Sequence, residues 1–280
     1  MRTPRYVLSA FLLLTATLTL SACSGKDKGD INKNNADSAS VEELYERASN
    51  AMDDERYVEA TRYFEEVERQ HPYSKWSSRA QLMAAYSSYL DQRYDEAIVA
   101  LDRYIQLHPG AADVDYAHYL KALCFYEQIS DVRRDQETTI QALHTLDTLV
   151  KRFPNSEYRR DAMLKLDLTR DHLAGKEMEV GRYYLNRGHI NAAINRFRSV
   201  VQNYQTTSHV AEALHRLVEA YVTLGLKNEA MQVAAVLGYN YPGSKWYERS
   251  YALLDDAQRQ KIIDERGIIE RTMDSLLKPD

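Results

Sequence analysis

Apolar residues recur along this chain at helical spacing, and the recurrence is itself repeated. In the stretch from Ser78 to Pro109, Leu82, Ala85 and Tyr89 fall three to four residues apart and Gln92-Arg93 interrupts them. Ala97, Leu101, Tyr104 and Leu107 then resume the period until Pro109 stops it. The pattern predicts two helices joined by a tight turn, with the small Ala97 letting them cross closely and the proline forbidding continuation. Each helix carries one apolar stripe that it cannot bury alone, so the unit requires neighbours of its own kind.

Those neighbours share one spacing: Ala, a bulky residue four later, Pro eight beyond. It occurs at Ala60, Phe64 and Pro72; at Ala97, Leu101 and Pro109; and at Ala142, Leu146 and Pro154. Two further copies are Ala193 and Phe197, with Gln205 in place of Pro, and Ala230, Ala234 and Pro242. The pattern resembles the tetratricopeptide repeat, and Gly181 and Tyr184 suit the first helix of such a unit. A second mark, Pro-x-Ser-Lys/Glu-Trp/Tyr, stands at Pro72 to Trp76, Pro154 to Tyr158 and Pro242 to Trp246. There the serine is placed to cap the next helix and the aromatic to open its buried face. The expected fold is all-α: an α-solenoid of about five tetratricopeptide-like helical hairpins with a C-terminal capping helix.

Repeats 1–3 occupy residues 41–153, repeats 4–5 residues 154–243, and the cap residues 244–280. Leu44 and Ala48 are expected on the packed face of repeat one. In repeat three, helices over Val114–Ile129 and Thr138–Phe153 flank an inserted loop, Ser130–Glu137, which explains the uneven proline spacing. Tyr158 to Arg187 reads as one long helix or two abutting ones, with Gly175 the expected break and Gly181 alternatively a point of close packing. Repeat five runs from Ala211 to Pro242. The cap offers Leu253, Leu254, Ile262, Ile263, Ile269, Met273 and Leu276 as its apolar side.

Ahead of the repeats, residues 1–22 form a targeting segment: Arg2 and Arg5 precede an apolar run, Val7–Leu20, too short to span a bilayer permanently. Leu20-Ser21-Ala22-Cys23 resembles the bacterial lipobox, which implies cleavage before Cys23 and a diacylglycerol plus an N-acyl chain on that residue. Ser24, where an Asp would imply inner-membrane retention, implies the outer membrane. Residues 23–40, the lipidated Cys and the polar stretch Ser24–Ser40, read as a flexible tether. Cys124 is then the one thiol left, in an apolar helix, where a buried small hydrophobe is the simpler reading.

Composition narrows the function. Tyr outnumbers Phe by 21 to 5, more hydroxyls than core filling demands, so some rings are expected to face a groove or water. Net charge is −5, and loss of Arg2 and Arg5 with no acid takes it to −7; with no basic aromatic strip, nucleic acid is not an expected partner. No phosphate loop, His-Glu-x-x-His or nucleophile elbow appears. His71 and His108 precede the repeat-ending prolines, and Asp53-Asp54 and Glu65-Glu66 read as solvated surface. No enzyme, metal or cofactor is expected.

In the tetratricopeptide repeat the first helix lines an inner groove through its second, fifth, ninth and twelfth positions. By that resemblance the lining is Glu42, Tyr45, Ser49 and Met52; Arg79, Leu82, Tyr86 and Tyr89; and Tyr116, Tyr119, Leu123 and Tyr126. Tyr45, Arg79, Tyr86, Tyr89, Tyr116, Tyr119 and Tyr126 are the candidate groove for an extended peptide with aromatic side chains, Arg79 being suited to a free carboxylate. The same rings could instead pack between repeats.

Asp115-Tyr116 with Tyr119, Arg134-Asp135 in the inserted loop, Pro154-Asn155-Ser156-Glu157-Tyr158 and Tyr183-Tyr184 before Arg187-Gly188 make the mature chain similar to the BamD family, tetratricopeptide lipoproteins of the outer-membrane β-barrel assembly machine. That resemblance implies a lipid-anchored protein on the periplasmic face of the outer membrane. Its N-terminal repeats would receive unfolded outer-membrane β-barrel proteins and its C-terminal repeats dock on a POTRA domain of BamA, beside accessory Bam lipoproteins. By the local matches Asn186-Arg187-Gly188 and Asn195-Arg196, it places the BamA contact on Arg187 and Arg196; Gln205 and Gly188-His189-Ile190 depart from the family pattern. The competing reading is a tetratricopeptide scaffold coordinating peptidoglycan or division machinery. The tether lacks the heptads that would favour it.

Overall fold

Ala60, Phe64, Ala97, Leu101, Ala142, Leu146, Ala193, Phe197, Ala230 and Ala234 are all completely sealed from solvent, so the repeated spacing is the packing code of the molecule. The computed structural model describes residues 39–264, 272–273 and 276–277. Among them it contains twelve α-helices and no strand. Ten pair as hairpins: α1 (Val41–Asp53) with α2 (Tyr57–Gln70), α3 (Ser77–Leu90) with α4 (Tyr94–Leu107), and α5 (Val114–Glu127) with α6 (Glu137–Arg152). The fourth and fifth pairs are α7 (Arg159–Asn186) with α8 (Ile190–Asn203), and α9 (Val210–Thr223) with α10 (Lys227–Asn240). Two short helices follow, α11 (Lys245–Ala252) and α12 (Asp256–Asp264). From α1 to α11 each helix packs on its sequence neighbour, as expected of an α-solenoid, and α12 packs on α10.

Four hairpins turn on three residues, and in each the middle one adopts a left-handed conformation: Glu55 and Gln92 at φ 59°, Gly188 and Gly225 at φ 75°. Only the third hairpin differs. Its loop holds itself closed through Gln136, whose buried amide donates to the carbonyls of Asp131 and Arg134 and accepts from Thr139 Oγ1. Lys176 on α7 adds Nζ bonds to the Arg133 and Arg134 carbonyls.

The second helix of every hairpin ends one residue after its last full turn, where the N–H of His71, His108, Phe153, Tyr204 or Tyr241 returns to a carbonyl four residues back. Proline follows in four cases and Gln205 in the fifth, yet α8 stops at the same register. The non-helical backbone at the capping residue, with ψ between 43° and 67°, ends the helix, and proline only reinforces it.

Several expectations need correction. Gly175 is not a break: α7 runs unbroken for 28 residues, twice the usual helix here. Its first half, Ala162 and Leu166, packs with Leu146 and Leu149 of α6, and its second, Ala174 and Met178, with Phe197 of α8. Serving two clusters, it has no reason to bend. Gly181 is the close-packing point, since a Cβ there would lie 2.5 Å from a ring carbon of Phe197. Leu253 is exposed, whereas Leu254 and Leu276 are buried and Ile262 and Met273 pack against the core. Ile263 and Ile269 lie outside the residues whose side chains are described. Of the capping serines, Ser244 accepts from the Tyr247 N–H and Ser156 from the Tyr158 N–H, but Ser74 Oγ is buried without a partner among the described residues.

Candidate functional site: a row of tyrosines

Helix α3 closes on its neighbours through small side chains. Its buried residues are Ser77, Ala80, Leu82, Ala84, Ala85, Ser87 and Ser88. Backbones that approach on Ala and Ser leave no interior room for Tyr86 and Tyr89, which emerge half-buried beside the core formed by Leu82, Ala97, Leu101, Ala117 and Leu120. Helix α5 repeats the arrangement with Tyr116 and Tyr119.

The rings meet. Ring centroids step 5.8 Å from Tyr94 to Tyr89, 6.4 Å to Tyr86, 6.4 Å to Tyr116, 5.3 Å to Tyr158 and 4.9 Å to Tyr119. Six half-buried tyrosines thus form one continuous row across α3, α4, α5 and the residue before α7. At its far end the Tyr119 hydroxyl donates to Asp161 Oδ2 at 2.6 Å, and Lys165 donates to both oxygens of that carboxylate while its Nζ stands 5.5 Å over the Tyr126 ring. Burial alone would raise the Asp161 carboxyl, but the bonds from Lys165 and Tyr119 outweigh it and hold the group below its ordinary range. Along the row, desolvation, with Glu127 and neighbouring phenols behind it, pushes Tyr89 up to about 12, and desolvation and neighbouring phenols raise Tyr116 as well, so these hydroxyls remain protonated donors.

Four of the seven groove candidates, Tyr86, Tyr89, Tyr116 and Tyr119, therefore stand together. Tyr126 is joined to them through Lys165 and Asp161. Tyr45 is elsewhere, packed on Phe64 and Trp76 between the first two repeats. Arg79 is exposed, and among the described residues it has no ion pair. Sequence reasoning missed Tyr94 and Tyr158. Tyr158 carried a signal, the Pro-x-Ser-Glu-Tyr mark, read as the start of a buried face; Tyr94 follows a turn and lies on a second helix, outside the groove positions. Beneath the row Cys124 is fully buried, its thiol pushed up to about 12 by burial, an inert state.

Arg187 and Arg196 lie at the fourth hairpin. Arg187 ends α7 with its guanidinium 5.4 Å over the exposed Tyr183 ring. Arg196 on α8 donates to Glu177 of α7 at 3.2 Å. Among the described residues, no group of His, Cys, Asp and Glu could hold a metal, and no helix is long and apolar enough to cross a membrane. Cys23 and residues 1–22 lie outside the described residues.

The family model described as "YfiO: Outer membrane lipoprotein" matches residues 37–237, a span that takes in all five hairpins up to the last turn of α10 and both arginines. This chain belongs to that family. Relatives named outer membrane protein assembly factor BamD are 50% identical in Caulobacter vibrioides, over 86% of this chain and 79% of the relative, and 45% identical in Rickettsia prowazekii, over 88% and 96%. A third, from Neisseria meningitidis serogroup A, is 34% identical over 86% and 94%. Across such spans the YfiO-family likeness extends over the whole solenoid, rather than resting on its repeat spacing alone.

Proposed function

We propose that the chain is a non-enzymatic assembly factor of the outer membrane, which receives unfolded β-barrel proteins on the tyrosine row and couples them to the BamA insertion pore. The observation that carries this reading is the row itself: six half-buried aromatic rings displayed side by side across three hairpins, in a family whose close relatives are named as outer-membrane protein assembly factors. Phenol rings offer apolar area and a hydrogen-bonding tip with few rotamers to freeze, which suits repeated capture and release of extended chains. Arg79, without an ion pair among the described residues, is available to a client's carboxylate. Acylation of Cys23 would hold the molecule at the periplasmic face of the outer membrane, with residues 24–40 as its tether. Three acyl chains anchor far more firmly than one, at about 0.8 kcal/mol per buried methylene.

Arg187 and Arg196 are assigned to the contact with a POTRA domain of BamA, near which accessory Bam lipoproteins would assemble. Arg196 can reach a partner's carboxylate by exchanging Glu177 for it, and Arg187 is presented on the Tyr183 ring. Depleting the protein in cells should lower the amount of folded outer-membrane barrels, and an unchanged amount would remove the proposal. Arg196→Glu should reduce copurification with the pore subunit.

A further inference from the structure

Resting on the peptide-groove reading above, we propose that the row holds a client by its main chain: the hydroxyls of Tyr89, Tyr86 and Tyr116 bond to alternate peptide groups along one edge of a single extended strand, largely indifferent to its side chains. Spacing is the first support. The two steps between these rings are each 6.4 Å. An extended strand advances about 3.3 Å per residue, so carbonyls on the same edge recur every ~6.6 Å. Rings set at this interval keep step with the edge of an extended strand, one phenol to every second residue.

The second support is that these hydroxyls are uncommitted. Among the described residues, the hydroxyls of Tyr86, Tyr89 and Tyr116 have no hydrogen-bond partner and are not among the sealed unpartnered polar atoms, whereas the Tyr119 hydroxyl at the end of the row is engaged by Asp161. Each phenol can donate to a carbonyl and still accept from an amide N–H or water. Third, the ring surfaces are partly occupied: Tyr86 lies nearly parallel to Tyr89, at 16°, and meets Tyr116 edge-on at 61°, while all three lean on the core beneath. Face-to-face stacking on client aromatics would compete with contacts the rings already make; the hydroxyls meet no such competition. Main-chain capture also leaves the strand's other edge free to pair elsewhere.

The test uses the mature lipidated chain in detergent and a fluorescein-labelled synthetic peptide of about ten residues alternating Val, Phe and Ile with Thr and Ser. Fluorescence anisotropy gives Kd for the wild type and for two triple variants at positions 86, 89 and 116, one Tyr→Phe and one Tyr→Ala, with far-UV circular dichroism confirming helicity. Tyr→Phe keeps the rings and removes only hydroxyls; it should weaken binding at least tenfold. Reordering the peptide's apolar side chains within the alternation should change Kd less than twofold. A Tyr→Phe loss below tenfold, or a tenfold loss on reordering, overturns the main-chain mode. If Tyr→Ala abolishes binding while Tyr→Phe does not, the groove stands and only this mode fails. Equal binding by all three proteins, or none by the wild type, takes the groove reading down as well.

Discussion

Hairpin α3/α4 and hairpin α9/α10 share one spacing, Ala97 with Leu101 and Ala230 with Ala234, and use their large side chains in opposite ways. Helix α9 buries Val210, Ala211, Ala213, Leu214, His215, Leu217, Val218, Ala220 and Tyr221, and α10 buries Ala230, Met231 and Val233 through Leu237. Helix α3 buries four residues that are Ala or Leu and three that are Ser, and leaves its tyrosines half outside. The fifth hairpin packs against α11 and against Leu254 and Leu276, so a second apolar face has somewhere to go. In the second hairpin the aromatic area is not needed to close the core, since Ala and Ser already let the helices meet. Large side chains kept at a surface that packing does not require are the mark of a site.

Unfolding free energies should separate the two regions. Leu217 is fully buried, and Leu217→Ala should cost about 2–5 kcal/mol through lost transfer energy and a residual cavity. Tyr86 is only half-buried, so Tyr86→Ala should cost about 1 kcal/mol while removing a central ring of the row. Urea denaturation of both variants measures this directly. Equal losses would mean that Tyr86 is a core residue and that the contrast drawn here is false.

Gly181→Ala comes next in size. The added methyl would meet the sealed Phe197 ring at 2.5 Å, with no flexible tip to yield, so overpacking should cost about 1–3 kcal/mol. Gly175→Ala, with ordinary contacts of 3.4 Å to His209, should be neutral or slightly stabilising, because alanine favours a helix interior over glycine by up to ~1 kcal/mol. A thermal melt of each distinguishes the closely packed glycine from the merely tolerated one.

That pair also shows what the sequence could and could not reveal. Packing between helices was legible because a fixed Ala-to-bulky interval can only mean one repeated contact, and all ten of those residues prove sealed. Helix continuity through Gly175 was not: glycine is a breaker by propensity, and only the two clusters on either half of α7 explain why it does not break there. Groove positions were legible where the register stayed on first helices, at Tyr86, Tyr89, Tyr116 and Tyr119. Tyr45 shares that register but meets Trp76, which the six-residue connection between α2 and α3 brings back over it. Tyr94 joins the row from the start of a second helix, outside the groove register, and Tyr158 from a linker whose path no periodicity describes.

Turns give a smaller and opposite effect. Glu55 and Gln92 hold φ 59° at the position where Gly188 and Gly225 serve the later hairpins. Left-handed backbone strains an L-residue, so Gln92→Gly should gain about 0.5–1 kcal/mol, offset in part by the added freedom of the unfolded chain. Gly225→Ala should lose a similar amount. Gain in one and loss in the other, read from denaturant midpoints, would show that the N-terminal hairpins carry strain the C-terminal ones avoid.

The last test sets one histidine of each region against the other. Burial lowers the proton affinity of both, helped by Arg152 and Lys121 beside His118 and by Arg216 and Arg249 beside His215. His215 is sealed between α9 and α11 with Nδ1 2.9 Å from Ser250 Oγ, whereas His118 is half-buried against Phe153. With a folded affinity below the unfolded one, the unfolded chain binds the extra proton first. Stability is therefore full above the ordinary histidine value of about 6.5 and declines as pH falls below it, until the folded ring also protonates. The thermal midpoint should drop between pH 7 and pH 5, and His215→Gln should flatten that drop more than His118→Gln, because the sealed ring resists its proton further. A larger flattening from His118→Gln would place the tighter, drier packing under the tyrosine row and reverse the comparison.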